Sequence, residues 1–355
     1  MLESGLSRSV RGVSSNGHPY RDPTPEGDAG SRGTASHQFS CCPMRALLIH
    51  NPTAGVKTHQ KDSIIAALRL AHFDVIYVST KDPNVKDALR NKPDLVVVAG
   101  GDGTVGHVFT HLSDRSVPIG VVPLGSANNI ARSLGIAGTP QELAEQWRMD
   151  NVRPFYLIAV DGFEDEYLCA EGFGIGLIPA LIKQRAKQKR TDGPEDVRRG
   201  RRVLRKIVAD AKPLDFEVEI DGEALKGNLL GVEILTGPFT GPTLPFAHDA
   251  DPSDKLLDLI CIETRKADAL AAWIEAPRDK RPPVISRQGK QIKIRWRDAE
   301  SRIDDKVIAA GSKWQDVTIS CHAKPLRILM PVRHPAVRKN AKGEEDGKLA
   351  KRRNR

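Results

Sequence analysis

Residues 100–104 read Gly-Gly-Asp-Gly-Thr and follow directly on the apolar run Leu95 to Ala99. Consecutive glycines after a buried strand let the backbone fold tightly and aim several N–H groups at one point. Such a nest holds phosphate oxygens, and the next helix adds its dipole. Gly100, Gly101 and Gly103 supply that turn. Asp102 cannot attract phosphate by charge, so its open roles are ordering the turn, holding a metal or transferring a proton. Thr104 is placed to cap the helix or to donate to phosphate. Two further turns share the setting. In Asn51-Pro52-Thr53-Ala54-Gly55, the Asn51 amide, the Thr53 hydroxyl and Gly55 can line a crevice. In Pro123-Leu124-Gly125-Ser126-Ala127-Asn128-Asn129, Gly125 is followed by the Ser126 hydroxyl and two amides. A tight turn without ligand explains any one of these alone. Three in one sheet are harder to explain that way.

The elements that position these turns follow from pattern. From Met44 the chain repeats strand, turn and helix: strands at Ala46 to Ile49, Val75 to Val78, Leu95 to Ala99 and Ile119 to Val122, with helices near His59 to His72, Val85 to Arg90, Val105 to Leu112 and up to Leu134. The alternation predicts an α/β domain with a mostly parallel sheet, whose ligands lie beyond the carboxyl ends of the strands. All three polar turns fall there. Beyond Phe155 the pattern changes. Leu214 to Ile220 alternates, Asp221-Gly222 signals a hairpin, and Leu229 to Leu235, Leu257 to Ile262, Gln291 to Trp296 and Val317 to Cys321 are strand candidates. This half is predicted to be largely antiparallel, interrupted by helices at Leu177 to Lys189 and Glu195 to Ala211. The expected domains are 44–150 and 151–332, with a disordered leader over 1–43 and a disordered basic tail over 333–355.

Composition narrows the classes. Hydrophobic residues make up 39% and charged residues 28%, a globular mix. No apolar run reaches the roughly 18 to 20 residues of a membrane span. Five scattered cysteines without metal-ligand spacing point to free thiols and a cytoplasmic location. The formal charge is +9, concentrated in Lys183 to Lys206 and Arg333 to Arg355. Aromatics are only 5% and do not interleave with the basic residues, so no nucleic-acid partner is expected. The first basic block is a candidate surface for anionic lipid headgroups, with a solvated helix face as the alternative.

Taken together, the three turns resemble the diacylglycerol kinase catalytic family. Its pattern is Asn-Pro-x-[Ser/Ala]-Gly, then Gly-Gly-Asp-Gly-Thr, then Pro-Leu-Gly-Thr-x-Asn-Asp-x-Ala-Arg. Here Ser126 replaces the Thr and Asn129 the Asp, and Glu171 to Leu177 is similar to the family's Gly-rich opening of the second domain. The resemblance implies a diacylglycerol-kinase-like or NAD-kinase-like first domain, then a β-sandwich-like domain whose last segment packs back on the first. It implies a lipid kinase that transfers the γ-phosphoryl of ATP with Mg²⁺ to a hydroxyl of a membrane lipid. Asn51, Thr53, Thr80, Gly101 to Thr104 and Ser126 would line the nucleotide site. Asp251, Asp254 and the Leu256 carbonyl would hold Mg²⁺. The family's late Asp-Gly-Glu appears as Asp304-Asp305-Lys306, which leaves Asp304 as the base candidate and Asp102 as the second. His107 stands where the family commonly has Glu. Two other readings stay open: a nucleotide- or lipid-binding homologue without turnover, which the Lys306 replacement favours, and an NAD kinase. The NAD kinase reading is disfavoured because an Asn-Glu pair and a Thr-Gly-Ser-Thr-like segment are missing.

Overall fold

A computed structural model of the chain describes residues 43–55, 61–90, 92–188, 193–277 and 281–332. The expected leader, apart from Pro43, and the expected tail lie outside the described residues. The first part of the chain runs β1 (Met44–His50), α1 (Lys61–Leu70), β2 (Phe73–Ser79), α2 (Val85–Ala88), β3 (Leu95–Gly100), α3 (Asp102–His111), β4 (Pro118–Pro123), α4 (Asn129–Ser133), α5 (Pro140–Gln146) and β5 (Val152–Phe155). Every residue of β3 is buried, as a strand covered on both faces requires. α5 starts on a capping box, Thr139 with Glu142, and has Pro140 in its first turn, where the missing N–H costs nothing.

The chain continues through β6 (Ile158–Asp161), β7 (Tyr167–Cys169), β8 (Gly172–Ile175), α6 (Leu177–Ala186), α7 (Gly193–Asp210), β9 (Phe216–Ile220), β10 (Glu223–Leu225), β11 (Leu229–Leu235), β12 (Leu257–Glu263), α8 (Ala267–Glu275), β13 (Ile285–Gly289), β14 (Gln291–Trp296), β15 (Ser301–Ile303), β16 (Lys306–Ile308), β17 (Gln315–Cys321) and β18 (Leu326–Leu329). Asp221 and Gly222, both at positive φ, make the tight link between β9 and β10.

Two antiparallel sheets stack, one ordered β10-β9-β14-β17-β6-β7 and the other β13-β12-β11-β8-β15-β16. Their shared core joins Val160, Ile294, Trp296 and Ile319 to Phe173, Val232, Ile234 and Leu259. The opposite face of the second sheet is covered by α6, α7 and α8 through Leu181, Leu204, Val208, Leu270 and Trp273. This layering explains the strand patterns. β14 alternates exposed and buried residues because one of its faces meets solvent, whereas β11 is buried throughout because it is covered on both sides. The antiparallel second half is thus observed as a sandwich with a helical layer.

The first sheet has the order β2-β1-β3-β4-β18-β5. β1 to β4 are mutually parallel, β18 joins β4 in parallel, and β5 closes the edge antiparallel to β18. A strand from the far end of the described chain therefore lies inside the first sheet, and Leu326 and Ile328 are fully buried there. Ile328→Ala should lower unfolding free energy by about 2–5 kcal/mol in urea titrations, the usual cost of such a cavity. A loss below about 1 kcal/mol would mean that β18 contributes little to the first sheet's core.

Candidate functional site

β1, β2, β3 and β4 run parallel and end together, at His50, Ser79, Gly100 and Pro123. The residues just beyond therefore share one edge. Leu124 N donates to Gly100 O (2.8 Å) and the Asn51 side-chain amide donates to Thr104 Oγ1 (3.2 Å), which links the three turns. Gly101 and Gly125 touch backbone to backbone, and a Cβ on Gly125 would sit 2.6 Å from Gly101 Cα. The Asn128 side chain closes the third turn by accepting from Gly125 N (2.8 Å) and donating to Gly125 O (2.7 Å), while its own backbone is left-handed. Thr53 donates through both N (3.0 Å) and Oγ1 (2.7 Å) to Asn51 Oδ1. Gly55 sits at positive φ in the same turn, and Thr80 N donates to His50 O (2.9 Å). Ser126 Oγ accepts from Gly193 N (3.1 Å) at the start of α7.

Two expectations about the central turn are corrected. α3 starts at Asp102 with Gly101 as its N-cap, so Thr104 lies inside the first turn and does not cap the helix. The glycine turn ends sooner than apolar periodicity alone suggests, because Gly103 and Thr104 already have helical geometry. Of the three roles open to Asp102, ordering the turns is the one its contacts display. Its Oδ1 accepts from Ile130 N (3.0 Å), and the Asn128 and Asn129 amides also stabilise its charge, so it ties the start of α4 to the Gly turn. Burial, and then the Glu171 carboxylate, outweigh those amides and raise its pKa to about 7.

Asp304 enters from the sandwich, in the turn between β15 and β16. Its Oδ1 accepts from the backbone amides of Ala170 (3.0 Å), Glu171 (2.7 Å) and Gly172 (3.1 Å), and its Oδ2 from Ala170 (2.9 Å). Burial pushes its pKa up to about 6 even though those amides pull it down. The turn rests on the glycine face of α3. A Cβ on Gly106 would lie 3.2 Å from Asp304 Oδ2, and one on Gly103 would lie 2.8 Å from Asp305 Oδ2. Both base candidates therefore border the same helix. Lys306, where the family has Glu, places its ammonium 4.9 Å from the centre of the Tyr167 ring.

Pattern reading missed a buried polar network beside these residues. Arg302 Nε and Nη2 donate to Glu233 Oε2 (3.0 and 2.6 Å), Nη2 donates to Thr240 Oγ1 (2.9 Å), and Nη1 donates to Asp304 O (2.9 Å). Glu171 Oε1 accepts from Thr240 Oγ1 (2.8 Å) and Gly241 N (3.3 Å), and its Oε2 accepts from Asn129 Nδ2 (3.1 Å). Burial raises Glu233 to about 7 against the pull of Arg302. Burial also works against the Arg302 charge, but Glu233, Glu171 and Asp304 hold its pKa above the ordinary value. A signal was present: a glutamate inside the apolar run Leu229 to Leu235 demands a buried partner.

The expected metal ligands lie on a separate turn before β12. Asp251 Oδ1 accepts from Arg153 Nη2 (2.6 Å) and Ser253 Oγ (2.6 Å), which hold its pKa down despite burial. Asp254 Oδ1 accepts from Leu256 N (2.8 Å); burial, reinforced by the Asp251 charge, raises its pKa. The Leu256 carbonyl accepts from Cys321 Sγ (3.6 Å). Among the described residues no group of three or more His, Cys, Asp or Glu side chains is arranged to hold a metal ion.

An α/β lobe with glycine turns at its strand ends, followed by an antiparallel sandwich, is also the fold of a diacylglycerol kinase structure from Bacillus anthracis. The two align with a TM-score of 0.60 at 19% identity, covering 83% of this chain and 98% of that one. Residues 45–160 match the diacylglycerol kinase catalytic domain. The chain is 26% identical over 230 residues to the diacylglycerol kinase of Bacillus subtilis, covering 62% of this chain and 74% of that protein. It is 24% identical over 267 residues to that of Staphylococcus carnosus, covering 70% and 84%. Residues 45–160 thus resemble a diacylglycerol kinase catalytic domain, and the chain is similar over most of its length to bacterial diacylglycerol kinases.

Removing Arg302 would leave Glu233 buried without its partner. Arg302→Met should lower unfolding free energy by about 3–5 kcal/mol, and Arg302→Met with Glu233→Leu should recover most of it. Equal losses in the single and double variants, read from denaturant midpoints, would show that the pair is not energetically coupled.

Proposed function

We propose that this chain is an ATP-dependent lipid kinase that transfers the γ-phosphoryl group to a hydroxyl of a diacylglycerol-like or sphingoid lipid. The observation that carries the reading is the meeting of two lobes at α3. The Gly100–Thr104 and Gly125 turns lie at its N-terminal end, and the Asp304 carboxylate lies against its Gly106 face. Backbone N–H groups of the turns and the start of α3 bind the phosphates. Asn51, Thr53, Gly55, Thr80 and Ser126 line the nucleotide side.

The three backbone amides on Asp304 fix its orientation and leave a lone pair on Oδ2, the atom facing α3. Oδ2 is the atom that takes the proton of the lipid hydroxyl as oxygen attacks phosphorus. Asp102 orders the turns around the phosphates. Most of the acceleration comes from positioning and charge, as in other phosphoryl transfers. The hard oxygens of Asp251, Asp254 and the Leu256 carbonyl suit Mg²⁺, and the pKa of Asp254 is raised by burial and then by the Asp251 charge, both of which a divalent cation would offset. Bound there, Mg²⁺ supplies positive charge to that turn.

A homologue without turnover is the second reading, favoured by the Lys306 replacement and the four amide contacts that occupy Asp304. Purified protein with labelled ATP, Mg²⁺ and mixed lipids separates the two. Asp304→Asn should lower transfer by about 10²–10⁴-fold, the range for loss of a general base. Transfer by the native chain should rise with pH through about 6, since the base works ionised and its pKa lies there. Native-like turnover in Asp304→Asn would sink the assignment, and ATP binding without labelled lipid would favour the second reading.

No described helix is long and apolar enough to cross a membrane. A lipid acceptor would be met at a bilayer surface. The candidate surface is α6 and α7, where Arg202, Lys206, Gln184 and Gln188 line a shallow cleft. Much of its charge is internally matched, since Lys183 pairs with Glu300, Arg185 with Asp196, Arg198 and Arg202 with Glu195, and Arg205 with Glu275. Sedimentation with anionic vesicles should exceed that with neutral ones and fall in Lys206→Glu with Arg202→Glu. Equal sedimentation with both vesicle types would remove this surface.

A further inference from the structure

Glu171 belongs by sequence to the second half of the chain, yet its side chain reaches into the first. Its Oε2 accepts from Asn129 Nδ2 (3.1 Å) at the start of α4, the helix whose Ile130 N–H binds Asp102. Its Oε1 holds the loop before β12 through Thr240 Oγ1 (2.8 Å) and Gly241 N (3.3 Å). Its own backbone N–H donates the shortest of the bonds to Asp304, 2.7 Å to Oδ1. One residue therefore touches the supports of both carboxylates, by side chain on one side and by main chain on the other.

Charge makes the placement matter further. The titratable and charged groups that interact with Glu171 are Asp102 on α3, Glu233 on β11, Arg302 on β15 and Asp304 in the next turn, and the buried thiol of Cys169 on β7 lies by Asp304 and Arg302. Arg302 is the cation among them, and its Nη1 lies 3.7 Å from Glu171 Oε1 while its closer bonds go to Glu233. An isolated hydrogen-bond bridge would be replaceable by any polar side chain of the same length. A carboxylate here also acts on its neighbours through space, because like charge disfavours their ionisation.

We propose that Glu171 is a positioning residue that ties Asp304 of the sandwich to the Asp102 end of the first domain and sets how readily both carboxylates ionise. The inference rests on the kinase reading for its activity measurements only. The coupling between α4 and residues 170–172 stands apart from the reaction.

Two variants separate the mechanical and electrostatic contributions. Glu171→Gln keeps length and the acceptor for Thr240 but removes the charge, and its Nε2 keeps the link to α4 only by donating to Oδ1 of a turned Asn129 side chain. It should move the acid limb of kcat/KM to lower pH by roughly half to one unit, because a lost like charge lets a carboxylate stay ionised further into acid. Its KM for ATP should stay within about twofold, since Glu171 makes none of the turn contacts assigned to phosphate. Glu171→Ala also removes the bridge. It should lower kcat by about tenfold or more and speed amide hydrogen exchange at residues 128–134 by about tenfold.

Unchanged exchange at 128–134 in Glu171→Ala together with an unmoved acid limb in Glu171→Gln would overturn the proposal. If Glu171→Ala does not fold, the Gln variant still decides the electrostatic half through its pH profile. If native protein transfers no phosphate, the kinase reading falls. Exchange at 128–134 then tests the tie by itself, with faster exchange supporting it and native-like exchange overturning it.

Discussion

The guanidinium of Arg302 is the charge around which the site is assembled. It is almost wholly removed from water, as is the Glu233 carboxylate that holds it. A buried ion of either sign is tolerated only with a partner and satisfied hydrogen bonds. Arg302 finds these in Glu233, Thr240 and the carbonyl of Asp304. That last bond pins the main chain of the residue whose side chain faces α3. The polar core of the sandwich therefore helps to fix the tip of a short hairpin whose strands share three residue pairs and whose β15 pairs with β8 over three more.

The first domain meets this tip with glycines rather than with polar side chains. Gly103 and Gly106 clear the face of α3, so two carboxylate-bearing residues approach the helix at van der Waals range. Helix propensity alone disfavours glycine inside a helix. Close approach explains why two of them fall on this face. The result is a site in which Asp102 and Asp304 are held by backbone amides from different domains, α4 for one and residues 170–172 for the other. Both are pushed upward in pKa by burial, toward the range where proton transfer is effective.

The first sheet carries a related dependence on the distant chain. β18 lies between β4 and β5, so the strand that ends in the Pro123 turn is flanked on one side by residues some 200 positions later. The geometry of the glycine turns is thus coupled to completion of the sandwich, since the chain must pass through the whole second half before β18 can be laid down. Long-range pairing of this kind closes late, after local βα units exist.

Sequence alone was enough for every element with a long, clear period. β11 and β14 were bounded as predicted, and β1, β3, β4, β12 and α7 lay within a few residues of expectation, because apolar runs and periodicity report burial directly. The three glycine turns were legible for the same reason: their residue types leave few conformations open. Short strands such as β7, β15, β16 and β18 were not predicted, since three or four residues hold too little pattern. α8 was missed although Leu270, Trp273 and Ile274 mark its buried face. Tertiary structure alone decided which polar residues meet. Asn129 to Glu171, Glu171 to Thr240 and Arg302 to Glu233 are contacts across 42, 69 and 69 residues. Their partners are chosen by sheet register and layer packing, which local residue preferences do not encode. Asp102 shows the division most plainly: its residue type opened three roles, and only the fold, by setting α4 against it, displayed one.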